Sequence, residues 1–417
     1  MGIEYGEKRS PFIDYGRPSL FLDFAKRKSL VDAISKNNLI TFTRSSTGTY
    51  VGSDGLIKTA AVDEPRFDHD PTTGESLGLL IEEQRTNLMP YSSNTTIYSS
   101  ANVTTSRTTG FDGNPTSGFN VVYNSNSASF VLTSTAAVTS GNTYTFSVYI
   151  KKNVNSTSGN QGIVMYSYFD NGTAGQWSGS ILNEDGKNLS QAPVGVWKRY
   201  SKTITVTSGT GVQIILPGYD TSGLDVTYYN SQIELGAFPT SAIPTSGSTV
   251  TRQPDNAQIT GTNFTDFYNP TESTIFVEAH VPPIHLTQYA ILSLETNNNN
   301  RLNSIAFTKR AGQGSRFLHY DNSDNGDVDL TNSVSWSDGS YRKLCGSIGQ
   351  VSASFADNGT IIGTDSSYQL PSSSDQLSKM RIGGFTSGGV TTLTGHIKQL
   401  LYYPTRLTNT QLQALTQ

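Results

Sequence analysis

Tyr166 and Tyr168 stand two residues apart in Gly162 to Phe169, so in a strand they share a face with Val164, opposite Ile163, Met165 and Phe169. Aromatic faces stack on the CH groups of sugars, and Trp177 follows closely. Tyr166, Tyr168 and Trp177 are therefore the candidate glycan-binding set, against the plainer reading that they fill a core or an intersubunit contact. A second cluster, Asp321-Asn322-Ser323-Asp324-Asn325-Gly326-Asp327, offers alternating oxygen ligands with glycine at the sixth place, as a calcium loop does. Asp321, Ser323, Asn325 and Asp327 would be its ligands, yet Asn332 occupies the place of the closing bidentate glutamate, and a solvated acidic turn is the simpler reading.

Covalent and acid–base chemistry finds less support. Gly74-Glu75-Ser76-Leu77-Gly78 has the spacing of a nucleophile elbow, but Asp70-Pro71-Thr72-Thr73 is a turn where a buried strand is required. His69, His280, His285, His319 and His396 are scattered and form no zinc spacing. Glycoside hydrolysis needs two carboxyls flanking one bond, and the strand-borne Glu234, Glu278 and Glu295 cannot be paired by spacing. Cys345, the single cysteine, follows Lys343-Leu344 in a strand pattern and reads as a small core residue.

The elements that must position these groups are strands. In 417 residues only 15% are charged and 35% hydrophobic, with 39 glycines, a composition of many short strands joined by polar turns. The net charge of −4 and the absence of a basic cluster larger than Lys26-Arg27-Lys28 argue against nucleic acid or anionic membrane as a partner. No leader or membrane-spanning run is read in the sequence, and none of its features calls for a cofactor beyond the weak calcium loop.

Strand patterns recur at Ser129–Leu132, Tyr144–Ile150, Val196–Val206, Val212–Leu216 and Val226–Leu235, then at Thr274–Val281, Ala290–Leu294, Ser304–Thr308, Arg316–Tyr320, Tyr341–Ile348, Val351–Ala356, Lys379–Ile382 and Gly395–Tyr403. Ser53-Asp54-Gly55 and Asp357-Asn358-Gly359 read as hairpin turns. Thr408 three residues before Gln411 reads as a capping box opening a terminal helix, with Leu407, Leu412 and Leu415 for docking. A short helix is expected over Lys28–Lys36. The fold class is thus mainly β: two tandem antiparallel β-sandwiches of jelly-roll type, at 93–258 and 262–417, preceded by an extended, proline-interrupted anchoring segment over 1–92.

Within that leading segment, Thr41-Phe42-Thr43-Arg44, Pro65-Arg66-Phe67-Asp68 and Leu80-Ile81-Glu82-Glu83-Gln84-Arg85-Thr86-Asn87-Leu88 resemble a module of tailed-bacteriophage structural proteins. Arg44, Arg66 and Arg85 can fork onto carboxylates such as Glu82, Glu83 or Asp68, a framework role in assembly. TYTFSVYIKK, GVWKRYSKTITVTSGTGVQI and QIELGAFPTSAIPTSGSTVTRQPD resemble, in that order, the carbohydrate-binding-module-like domain that follows it in many phage tail proteins. GHIKQLLYYPTRLTNTQLQALTQ looks like the closing strand and helix of concanavalin-A/laminin-G-like domains.

The resemblance implies a non-enzymatic virion structural protein of the tail fibre, spike or baseplate periphery, placed on the particle surface after assembly in the host cytoplasm. It would dock on other virion proteins through 1–92, display its sandwiches to host-surface glycan, and assemble as a homotrimer. A purely structural capsid or collar decoration is the first alternative, and a polysaccharide depolymerase the second.

Overall fold

The computed structural model describes residues 15–92, 99–125, 129–154, 158–159, 167–169, 182–183, 186, 189–216, 221–281, 288–297, 303–310, 312–320, 328–367, 376–385 and 391–417. The architecture is mainly β, built from antiparallel sheets with a few short helices. The chain divides into two compact units, each assembled from separated stretches: Met1–Thr43, Ser76–Glu83 and Asp255–Gln417 in one, Arg44–Glu75 and Gln84–Pro254 in the other.

This division differs from the boundaries expected near residues 92 and 260. Leu20–Asp23 pairs with Gln399–Tyr402, Thr41–Thr43 with Asn256–Gln258, and Leu79–Ile81 with Gly395–Ile397. Strands of three to six residues cannot close a core alone, and here they satisfy their backbone groups on later strands. The short helix also moves, to Phe24–Arg27. Asp23 caps it by accepting the Lys26 N–H, and Lys28 ends it in the left-handed region (φ 48°). Over the expected stretch, Asp32 instead accepts the N–H groups of Phe21 and Ser35, which closes a turn.

The C-terminal unit is a sandwich of two sheets. One runs Thr360–Asp365, Ala353–Asp357, Tyr341–Ile348, Ser273–His280, Gly395–Tyr403, and the other runs Thr41–Thr43, Asn256–Thr260, Lys379–Ile382, Tyr289–Glu295, Ser304–Lys309, Ser315–Tyr320, Val328–Thr331. Phe307, Phe317 and Phe355 fill the space between them, with ring centroids 4.8 Å apart for Phe307–Phe317 and 5.9 Å for Phe317–Phe355. Gly346 permits that contact, since a Cβ there would lie 2.5 Å from the Phe317 ring. On the opposite face of the first sheet, Phe276, buried Cys345 and Leu401 receive Leu407 and Leu412, with Leu415 packed alongside. The helix Asn409–Thr416 that delivers them opens with the expected capping box. The Asn358-Gly359 turn also forms as read, with φ 45° and 77°.

The other unit is organised around the sheet Leu182–Asn183, Trp197–Thr205, Thr143–Val154, Thr221–Leu235, Gly118–Asn124, Val103–Thr108. Alternation fixes its faces. Phe146, Val148 and Ile150 point inward with Tyr200, Val226 and Ile233 against Val131, Val212 and Ile214 of the smaller sheets, leaving Thr145, Ser147, Tyr149 and Lys151 on the outer face. A bulge at Asn230 (φ 50°) shifts the register between Tyr229 and Gln232, which places both on that outer face. The hairpin Gly48–Val51/Ile57–Ala60 closes through the expected Ser53-Asp54-Gly55 turn, with Gly55 at φ 74°.

Candidate functional site

Register brings the candidate site together from four strands. Lys151 lies opposite Trp197 on one side and Thr227 on the other, Thr227 lies opposite Asn120, and Tyr149 lies between Arg199 and Tyr229. With neighbouring strands about 4.8 Å apart, the row from Trp197 to Asn120 spans about 14 Å. Tyr149, Lys151, Asn153, Trp197, Arg199, Asn120 and Asp225 are all half-buried, while Thr227 between Lys151 and Asn120 is buried, so the row is a ledge whose two ends reach solvent.

One end of the ledge is aromatic and cationic. Phe111, buried beneath, stacks on Trp197 (centroids 5.3 Å apart, planes at 24°) and contacts Tyr149 at 5.1 Å, while Tyr229 meets Trp197 edge-on at 6.4 Å. Ile57, Leu56 and Val51 pack against this cluster. Lys151 Nζ stands 5.3 Å from the Trp197 ring centre, and the Arg199 guanidinium 5.1 Å from that of Tyr149. Arg199 also donates from Nη2 to Ser147 Oγ at 2.9 Å. Burial, and secondarily the Asp112 carboxylate, push the Tyr229 hydroxyl well above its ordinary range, which keeps it neutral.

The other end is a hydrogen-bonded amide–carboxylate group. Asp225 Oδ1 accepts from Asn120 Nδ2 at 2.5 Å and from Asn153 Nδ2 at 2.9 Å, and Asn153 Nδ2 also reaches Thr227 Oγ1 at 3.0 Å. Such a set presents fixed donors and acceptors of the kind that hydroxyl-rich ligands require.

Tyr166, Trp177, Asp321, Ser323, Asn325 and Asp327 lie outside the described residues, and of Tyr168 only the backbone is described, paired with Gln213. Arg44, at 1% exposure, donates from Nε to Ser46 O and from Nη2 to Ala61 O, and Arg66, fully buried, donates to Thr49 O and Ser241 Oγ. Gly48 allows this crowding, because a Cβ there would meet Arg44 Nε at 3.0 Å and Arg66 Cδ at 3.2 Å. Arg85 lies over the Phe238 ring at 4.7 Å. Glu82 and Glu83 belong to the C-terminal unit, where the Glu82 N–H donates to Asp255 Oδ2 at 2.8 Å and the Glu83 N–H faces Thr394 Oγ1 at 3.5 Å.

Ser76 opens the strand Ser76–Ile81 directly after a turn closed by Gly74 N–H on Asp70 O, so it has no strand before it to build an elbow. Glu278 and Glu295 sit on opposite outer faces of one sandwich, and Glu234 is taken up by Thr240. Sequence reading missed two groupings. His280 and His396 face each other across adjacent strands with ring centroids 5.7 Å apart, although they are 116 positions removed. Among the described residues, no three His, Cys, Asp or Glu side chains converge as a metal site. The ledge is the other. Its signal was the alternation of TYTFSVYIKK and WKRYSKTIT, which sets Tyr149, Lys151, Trp197 and Arg199 opposite the core residues.

No family model matches the chain, and no curated protein matches it. Among solved structures it is similar to the CBM40 module of the Ruminococcus gnavus IT-sialidase bound to α2,3-sialyllactose, at 16% identity over 36% of this chain and 84% of that one, with a TM-score of 0.30. It is also similar to domain 4 of AbnA, an extracellular arabinanase from Geobacillus stearothermophilus, in complex with arabinotriose, at 11% identity over 43% and 82%, TM-score 0.32. A heptameric pentraxin from Limulus polyphemus stands at 14% identity over 36% and 73%, TM-score 0.28. At such scores none of them bears on what this chain binds.

Proposed function

We propose that the chain is a non-enzymatic glycan-binding protein of a bacteriophage virion, carried on the tail fibre, spike or baseplate periphery, where it contacts host-surface polysaccharide. The observation that carries the glycan reading is the ledge itself, a row of aromatic, cationic and amide–carboxylate groups held by four paired strands, whose two ends reach solvent. The virion reading is supported by the phage-module motifs around Arg44, Arg66 and Glu82–Leu88. Repeated display, as in the trimer that the resemblance implies, converts weak single-site contacts into avidity without a catalytic centre.

The experiment is equilibrium binding of the full chain to an array of bacterial surface polysaccharides, with Asn120→Ala and Asn153→Ala as probes and reducing ends assayed in parallel. Binding that falls about tenfold or more in both variants, with no new reducing ends, is the expected result. No binding to any polysaccharide removes the glycan reading, and new reducing ends restore the depolymerase alternative.

A further inference from the structure

The two ends of the ledge differ in what they offer an approaching molecule. Phe111, 2% exposed, stacks on Trp197, and Lys151, on the half-exposed outer face, holds its Nζ over that ring at 5.3 Å from the centre. Arg199 covers Tyr149 in the same way. A neutral sugar seeking a bare aromatic face must first displace a cation, but an anionic group meets that cation directly. Among the described residues, Lys151 has no carboxylate partner within ion-pair distance. Nearby, Asp112 accepts from the Ser117 hydroxyl, and Asp225 from the amides of Asn120 and Asn153.

Building on the glycan reading, we infer that the ledge selects carboxylated polysaccharides, polymers of uronic or sialic acids. A ligand carboxylate sits at Lys151, and the ligand's hydroxyls engage Asn120, Asn153 and Asp225. The strands carrying Lys151 and Asn120 are two spacings apart, about 10 Å, so one sugar ring does not reach both ends and an oligosaccharide does. Charge recognition of this kind, at a half-exposed lysine, weakens with added salt.

The test is equilibrium binding of the full chain to polygalacturonate, to polysialic acid and to the carboxyl-reduced form of each, with dextran sulfate as a carboxylate-free polyanion. At least one carboxylated polymer is expected to bind about tenfold or more tighter than both its reduced form and dextran sulfate. Lys151→Gln is expected to remove most of that preference, with an unchanged unfolding midpoint, while Lys26→Gln, in the other unit, leaves it intact. Equal binding of a polymer and its reduced form overturns the carboxylate inference and leaves the glycan reading standing. Equal binding of dextran sulfate replaces the site by generic charge attraction, and likewise overturns it. If no polymer binds, the carboxylate inference falls, and the array of bacterial surface polysaccharides decides the glycan reading.

Discussion

Two groups of charged residues, one in each sandwich, meet solvent differently, although the ledge-bearing unit also buries Arg44 and Arg66. In the C-terminal unit they are buried and paired: Glu295, with no exposure, lies 3.2 Å from Arg381 Nε and 3.6 Å from Lys379 Nζ, and Asp357 Oδ2 accepts from Arg342 Nη1 at 2.8 Å, Ser315 Oγ at 2.5 Å and Asn332 Nδ2 at 2.7 Å. In the other unit, Lys151, Arg199 and Asp225 stand half-exposed on one sheet face beside aromatics and amides. Both units carry a mainly β fold, so fold does not choose between them, and the proposal rests instead on the solvent access of the polar groups.

The sharpest way to break this contrast is to remove a buried charge. Asp357→Ala leaves the Arg342 guanidinium buried beside an empty place, and a loss of about 3–5 kcal/mol in urea unfolding is expected. A loss below about 1 kcal/mol would mean that these charges are not the framework of the C-terminal unit.

The acid response sharpens it further. Burial, and secondarily the facing His396, hold the His280 pKa at about 3, although Asp338 and the Gly339 carbonyl oppose the shift. An imidazole in the unfolded chain has its ordinary value near 6.5 and takes up a proton that the folded chain refuses. The stability that His280 contributes is therefore complete above pH 6.5 and is lost as the pH falls from there towards 3. Urea midpoints at pH 7.5 and 4.5 should show a smaller acid loss in His280→Gln than in the parent chain. An equal loss assigns the acid response elsewhere.

Smaller effects separate framework from ledge. Thr408→Ala removes the cap of the terminal helix and should cost about 1 kcal/mol in the same unfolding measurement. Lys151→Gln should cost no more than about 0.5 kcal/mol, as surface changes generally do. A ledge variant more damaging than the cap variant would make the ledge a structural element.

Much of this was legible locally. The strand Tyr144–Ile150, the Asn358-Gly359 turn and the Thr408–Gln411 capping box follow from alternation, φ preference and hydrogen-bonding spacing, all of which act within a few residues. What sequence could not show is which distant strand each edge accepts. Nothing around Leu20–Asp23 or Ser76–Ile81 names Gly395–Tyr403 as a partner, because backbone pairing carries no residue code of its own. The ledge was hidden for the same reason: Tyr149, Trp197, Asp225 and Asn120 come from four strands, and only register makes them neighbours.

Hydrogen–deuterium exchange of the full chain, with and without a polysaccharide that it binds, tests the central claim most directly. Protection confined to residues 118–122, 147–153, 197–203 and 225–229, with none at 293–295 or 379–382, is the predicted result. Protection at 379–382 and none at 147–153 would move recognition to the C-terminal unit and contradict the account.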